Sequence, residues 1–511
     1  MKQYRMFELT FSGAVLEDNW SQVDVTAVFS CGEESIALKG FYDGDGLYKV
    51  RFLPHTAGLW KWKVSGAVTA SGEELCEANP EAHGIVKAED TYFVHEDGTK
   101  YLPFGTTVYA LTHQQDEIVE QTFATLAEAP FNKVRMCVFP KHYDLVQGEP
   151  PYHPYHMTEN GKPDVRKPNI EFWHRFEGHL DRLEELGIQV DLILFHPYDC
   201  WGYSSMSQED NLVYLDTVIR RLAARPNIWW SLANEYDLMT GWNLENWYEI
   251  EEFVARNDPY GHLLSNHNCT AAYDFTRQNI THACLQTRWI ENAGNWIRQY
   301  GKPVVYDEIS YEGNLTFMWG NISGLEMTHR FWTICANGAY ATHGDTFMDE
   351  NNIIWWACGG KLKGVSAPRI GFLKDILYSL PGALEPWPRK FIGDLVQFTD
   401  EELEEKAKKF PGMAVMVRGL KRMDPGMLHT LINSEIIASG HCGEDAYLTY
   451  YGRFCPYQGE MHLPKDKTYR VEVIDTWNMT REVVLENASG YTEVPLPSKE
   501  YVAVLAVANK N

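Results

Sequence analysis

The stretch WWSLANEYD (229–237) starts as a run of bulky apolar residues and stops at an adjacent amide and carboxylate, Asn234 and Glu235. An apolar run of this length, without a polar alternation, reads as a strand buried on both faces, as in a parallel sheet. An abrupt stop at Asn-Glu reads as a strand that delivers two polar groups into a site. A second stretch, KPVVYDEISYEG (302–313), repeats the logic: Val304, Val305 and Tyr306 run into Asp307 and Glu308.

Working outward from these two, short apolar strands are expected at 101–111, 131–140, 188–199, 227–237, 262–268, 282–289, 302–313 and 337–345. Between and after them the apolar spacing turns helical. FWHRFEGHLDRLEELG (172–187) carries its apolar residues on one face and ends in glycine, and 212–225, 242–257, 324–338 and 369–382 behave alike. Eight strands alternating with helices predict a (β/α)8 barrel, an α/β fold. A doubly wound open sheet is the alternative, but no GxGxxG turn follows the first strand.

The flanks read differently. Up to about residue 90 the chain shows period-two strands, including VDVTAVFS and GLWKWKVSG, and ESIALKGFYDGDGLYKVRFLP reads as two β runs joined by a DGDG turn. The expected organisation is an N-terminal β-sandwich over 1–90, the barrel over 91–384, a charged linker or insertion over 385–424, and a C-terminal β-sandwich over 425–511.

Charge narrows the partners. Lys and Arg number 45 against 70 Asp and Glu, a net charge of −25, which repels phosphate backbones and anionic bilayers. No nucleic acid or membrane partner is expected, and no stretch approaches the ~18 apolar residues that a spanning helix needs. The ten cysteines form no CxxC pair, and several lie inside apolar runs such as VRMCVFP, as reduced buried thiols do. MKQYRMFELTF does not read as a signal peptide. The expectation is a cytoplasmic protein, with homo-oligomerisation left open.

In a (β/α)8 barrel the site lies at the C-terminal ends of the strands. The polar residues expected there are Arg135 on strand two, His196, Tyr198 and Asp199 at the end of strand three, and Asn234 and Glu235 on four. Strand five offers Asn266, His267 and Asn268, six Gln286 and Arg288, seven Asp307 and Glu308, and eight His343 and Asp345. Tyr109 near the end of strand one is a rim candidate. Strands four and seven face each other across a barrel mouth. Two carboxylates so placed suit cleavage of a glycosidic bond, one protonating the leaving oxygen and the other attacking the anomeric carbon.

Asn-Glu ending strand four, with Glu ending strand seven, resembles clan A of the glycoside hydrolases. GFYDGDGLYKVRFLP (40–54) matches the GFYDGDGxYxxRFxP motif of the small β-domain that accompanies the apiosidase-like barrels. The resemblance implies Glu235 as general acid/base, Glu308 as nucleophile, and Asn234 as partner of the sugar 2-hydroxyl. It implies Arg135 beside the nucleophile and His196 at the sugar. His267, Tyr109, Tyr198, His343 and Trp355 complete the expected substrate-binding set. The clan's tryptophan at the end of strand eight is replaced by THGD, with Trp355 and Trp356 further on.

The function expected is a retaining, exo-acting glycosidase on β-linked plant-derived glycosides, with apiose or another pentose as the sugar, and with no cofactor or metal. Two rivals are a metal-dependent hydrolase using His196, His267, His343 and Asp345, and a barrel that binds carbohydrate without cleaving it. Asp307, Asp237 and Glu312 are read as structural.

Overall fold

The computed structural model describes residues 1–146, 148–387, 393, 395–434 and 437–509. All eight expected strands form one sheet: Phe104–Thr107, Lys133–Cys137, Gln189–Phe195, Ile228–Ala233, Leu264–Ser265, Ala283–Gln286, Val304–Glu308 and Tyr340–His343. They are hydrogen-bonded in the order five, four, three, two, one, eight, seven, six. An isolated parallel bridge between His267 and Cys284 spans the remaining seam, so the sheet wraps into a (β/α)8 barrel. Trp229, Trp230, Val304, Val305 and Tyr306 are all buried, as strands covered on both faces require.

The barrel interior carries charge as well as apolar side chains. Lys133 and Arg135 stand two residues apart on strand two, and both are fully buried. Lys133 Nζ donates to Asp307 Oδ1 at 2.5 Å and to Asp191 Oδ2 at 3.0 Å. Arg135 Nε lies 3.5 Å from Asp191 Oδ2. Thr342 Oγ1 and Cys284 Sγ donate to the two oxygens of Asp307 at 2.7 and 2.8 Å. Burial works against the Asp307 charge, but Lys133 and then Arg135 hold its carboxyl well below the usual range. Two cations and two acids thus form a compact layer beneath the strand ends.

The first 76 residues contain two antiparallel sheets. One holds Phe7–Ser12, Leu47–Phe52 and Phe41–Tyr42; the other holds Glu34–Lys39, Val25–Cys31, Gly58–Gly66 and Ala70–Cys76. The run expected as one strand before the DGDG turn is therefore split. Glu34–Lys39 pairs in one sheet, and only Phe41–Tyr42 forms the hairpin arm in the other. The break falls at Gly40, where a Cβ would sit 2.7 Å from both the Lys49 carbonyl and Val25. The turn itself takes Gly44, Asp45 and Gly46 through positive φ.

The motif's charged residues look outward from this hairpin to the barrel helices. Asp43 Oδ1 accepts from Arg221 Nη2 at 2.8 Å, Arg221 Nε donates to Glu177 at 2.7 Å, and Arg51 Nη2 donates to the other Glu177 oxygen at 2.7 Å. Glu177 and Arg221 lie on helices Ile170–Glu185 and Gln208–Leu222. Burial is outweighed by the two guanidinium groups, which keep Glu177 far below its usual range.

By internal packing the chain divides into two units. One comprises Met1–Thr287, Lys302–Ser323 and Ala341–Ala367; the other comprises Arg288–Gly301, Gly324–Tyr340 and Pro368–Asn511. A three-stranded antiparallel sheet (Val86–Glu89, Tyr92–His95, Lys100–Tyr101) straddles residue 90.

Of the expected linker, residues 388–392 and 394 lie outside the described residues. Its TDEELEEK segment forms the helix Asp400–Ala407, capped reciprocally by Thr399 and Glu402, and Pro411–Leu420 is a second helix. A six-stranded sheet joins Glu385–Pro386 to five strands past the further helix Pro425–Ser434: Ala438–Cys442, Ala446–Tyr450, Val502–Ala508, Tyr469–Asp475 and Thr480–Ala488. Its core is built around Tyr447, Tyr469, Val471, Val494 and Val504. Among the described residues, no helix is long and apolar enough to cross a membrane.

Candidate active site

A cavity of about 450 Å³ opens at the C-terminal ends of the strands, and Tyr109, Tyr198, Asn234, Glu235 and Glu308 all line it. Regular pleating would turn neighbouring residues to opposite faces. Two local irregularities defeat it. Glu235 adopts a left-handed conformation, φ 56° and ψ 56°, immediately after the strand Ile228–Ala233, so Asn234 and Glu235 both reach the cavity. For a non-glycine residue that conformation carries about 1–3 kcal/mol of strain, which the surrounding packing must hold. On strand seven the ladder slips: Leu285 pairs with Tyr306, but Gln286 pairs with Glu308. The extra residue is Asp307, and this bulge lets Asp307 enter the buried charge layer while Glu308 meets the cavity.

The two acids have separate hydrogen-bond partners and one common link. Glu235 Oε2 accepts from the Tyr198 hydroxyl and from Asn234 Nδ2 at 3.1 Å. Glu308 Oε1 accepts from the Tyr109 hydroxyl. The same Tyr109 oxygen lies 2.8 Å from Asn234 Oδ1, which also receives Arg135 Nη1 at 3.3 Å. His267 stands behind both acids. Its Nδ1 accepts the Glu235 backbone N–H at 3.3 Å, and its Nε2 is 4.0 Å from Glu308 Oε1. Burial, followed by the Arg135 charge, keeps this imidazole neutral, so the remaining proton belongs on Nε2.

Glu235 and Glu308 are only 6% and 4% exposed. Burial and the neighbouring Glu235 charge push the Glu308 carboxyl up, while Arg135, Tyr109 and Tyr311 pull it down. Burial and repulsion between two carboxyls in one cavity thus favour the protonated form of Glu308 beside Glu235. Such a pair can donate a proton on one side of a bound molecule and act as nucleophile or base on the other.

Five expected contacts are corrected. Arg135 does not line the cavity as a substrate contact; it lies beneath, bonded to Asn234 and Ser231, where its charge still favours the ionised Glu308. His196 is buried and turned onto the Phe139 carbonyl at 3.2 Å, away from the cavity. His267 supports the acids from behind rather than lining the cavity. His343 faces the opposite side of strand eight from Thr342, with Nδ1 3.3 Å from the Thr106 hydroxyl and its ring stacked on Phe131. Trp355 is fully buried and donates to Thr106 at 2.9 Å; its neighbour Trp356, about 100° further round the same helical turn, takes the cavity wall.

Asp237 accepts the backbone N–H groups of Cys269, Thr270 and Ala271. Glu312 holds Val365 and Ser366, and Asp345 holds Phe347, Lys363 and Gly364. Each of these acids pins a loop. His196, His267, His343 and Asp345 point to separate partners, and among the described residues no group of three or more His, Cys, Asp or Glu side chains is placed to hold a metal.

Gln286 of strand six also lines the cavity, as expected; the sequence reading missed Lys141, Tyr143, Asp144, Leu145, Tyr311, Phe317, Trp319 and Trp356. Their signal was position. KHYD begins four residues past the end of strand two, and TFMWG lies in the loop after strand seven.

A family model described as "Apiosidase-like, catalytic domain" matches residues 87–344. Two models of domains of unknown function match the flanks, DUF5060 over residues 1–67 and DUF5605 over residues 436–506. No curated protein matches the chain. Among solved structures, a candidate glycoside hydrolase from Bacteroides vulgatus ATCC 8482 is 31% identical, with 99% of each chain covered and a TM-score of 0.85. A glycoside hydrolase family 5 structure from the same organism is 15% identical, covers 84% of this chain and 93% of its own, and has a TM-score of 0.60, a likeness of fold.

Proposed function

We propose that this chain, which belongs to the apiosidase-like family of glycoside hydrolases, cleaves a β-glycosidic bond with retention of configuration. In this reading Glu308 is the nucleophile and Glu235 the general acid/base. The observation that carries it is the pair itself: two buried carboxylates in one cavity, each with its own donors, linked through Tyr109 and Asn234.

With a glycoside bound, Glu308 attacks the anomeric carbon and Glu235 gives its proton to the leaving oxygen. Glu235 then takes a proton from water, which releases the sugar from Glu308. Tyr109 O–H supports the ionised Glu308 and is released from that duty once the ester forms. Its single proton is then free to turn to Asn234 Oδ1, the other acceptor within reach. Asn234 Nδ2 is the donor proposed for the sugar 2-hydroxyl as well as for Glu235. The aromatic wall of Tyr143, Tyr311, Phe317, Trp319 and Trp356 supplies flat apolar faces for a sugar ring.

The family description supports apiose or another pentose as the sugar, and exo action on a plant-derived glycoside is proposed with it. Ten free cysteines without a disulfide support a reducing, cytoplasmic setting. Release of p-nitrophenol from a panel of aryl α- and β-glycosides, pyranosides and furanosides, identifies the sugar. Proton NMR of the first-formed anomer reads the stereochemistry: an inverted product defeats the retaining assignment, and hydrolysis confined to ordinary hexopyranosides defeats the pentose.

Tyr109→Phe removes the donor to Glu308 and leaves the ring in place. A charge-assisted bond of about 1.5–3 kcal/mol predicts a fall in kcat of roughly tenfold to a hundredfold. A kcat equal to the native value would show that Tyr109 only fills space.

A further inference from the structure

Lys141 is the buried group that the mechanism above leaves unused. It follows strand two by four residues, is 3% exposed, and lines the cavity that holds both acids. Its ammonium sits 3.3 Å from the centre of the Tyr109 ring and 4.5 Å from that of Tyr198, with Tyr143 at 5.5 Å and Trp356 at 5.9 Å. Among the described residues its ammonium has no ion-pair partner; the contacts it makes are with these rings. Buried lysines are ordinarily paired. In a chain with a net charge of −25, a lysine held on aromatic faces instead of on an acid calls for an explanation.

The two rings nearest the ammonium are the same two whose hydroxyls hold the acids, Tyr109 on Glu308 and Tyr198 on Glu235. A cation on the face of a phenol polarises its O–H and strengthens the bond that it donates. Lys141 therefore reaches both carboxylates twice, through space and through the two phenols. The charged and titratable groups about it are Tyr109, Tyr143, Tyr198, Glu235, Glu308, Cys137 and Arg135, with Asp144 on the same wall and His196 and His267 within its field. Among the described residues that line this cavity Lys141 is the one lysine or arginine; Arg135 lies beneath it, engaged with Asp191 and Asn234.

We propose that Lys141 is a positioning residue of the active site: seated on the Tyr109 and Tyr198 rings, its ammonium is the counter-charge that the Glu235–Glu308 pair shares. The proposal rests on the reading of that pair as the reacting acids. Burial lowers the lysine, and the Glu235 and Glu308 charges work to restore it, so the influence is mutual.

The experiment has two arms. In the first, kcat/KM is followed against pH for the native chain, Lys141→Met and Lys141→Arg. Loss of a cation makes each carboxyl harder to ionise, so in Lys141→Met both limbs move to higher pH, by about one unit. Lys141→Arg, which keeps the charge, leaves them near the native position. Limbs that stay in place in Lys141→Met overturn the proposal. The second arm needs no turnover. Competitive acetylation across pH, read by mass spectrometry on the Lys141 peptide, is run on the native chain, Glu235→Gln and Glu308→Gln. Lys141 titrating lower in both variants supports the shared counter-charge, and an unmoved titration overturns it. If no glycoside is cleaved, the glycosidase reading fails in the first arm while the second still decides the role of Lys141.

Discussion

Glu308→Gln reduces kcat on the best aryl glycoside by about 10⁴-fold or more, a loss of roughly 5 kcal/mol of transition-state stabilisation. The amide keeps the size and accepts the Tyr109 proton, but it cannot form the covalent bond to the anomeric carbon. Glu235→Gln loses about 10²–10⁴-fold, the usual worth of a positioned proton donor, and loses least on substrates whose leaving group needs no proton. Azide restores part of the Glu235→Gln loss, because a small anion can take the place of the activated water. Full activity in either variant would remove that residue from the mechanism. The pH profile carries a further sign. Burial and Glu235 raise Glu308, so the nucleophile is lost by protonation at a higher pH than an ordinary glutamate would be. The acid limb of kcat/KM in the native chain is therefore expected above the usual carboxylate range.

Asp307→Asn destabilises the fold by about 3–5 kcal/mol, read as a fall in the thermal midpoint. The substitution preserves shape and leaves Lys133 and Arg135, both fully buried, with Asp191 as their one remaining acid. The cost is that of an uncompensated buried cation rather than of a lost surface pair. The folded-state value of Asp307 is depressed, so its stabilising effect is complete above the unfolded-state pKa and is lost as pH falls through the folded one. The Asn variant should accordingly lose less additional stability on acidification than the native chain. A midpoint equal to the native one would show that the layer tolerates a net charge, and would leave Asp307 as a packing residue.

Much of the barrel was legible because burial leaves a direct mark on composition. A strand covered on both faces has to be apolar throughout, so WWSLA and VVY announce themselves, and the helices between them announce their single apolar face. The acids were legible for the same reason: Glu235 and Glu308 stand where an apolar run stops. The histidines misled. A histidine at a strand end has the same sequence signature whether it faces the cavity or, like His196 and His343, turns to a carbonyl or a threonine in the core.

The sequence by itself determined the eight strands, five of the helices that alternate with them (though not Asp116–Glu128 or Ala293–Tyr300), and the position of two acids at the ends of strands four and seven. Periodicity and abrupt changes of polarity are local properties, and a linear reading preserves them. Only the tertiary structure decided which way each end residue turns, because that depends on a left-handed residue at Glu235 and a one-residue bulge at Asp307, neither of which alters the composition of its strand. It alone also gathered Lys141, Tyr311 and Trp356 around one cavity, since loops far apart in the chain meet there only once the barrel has closed.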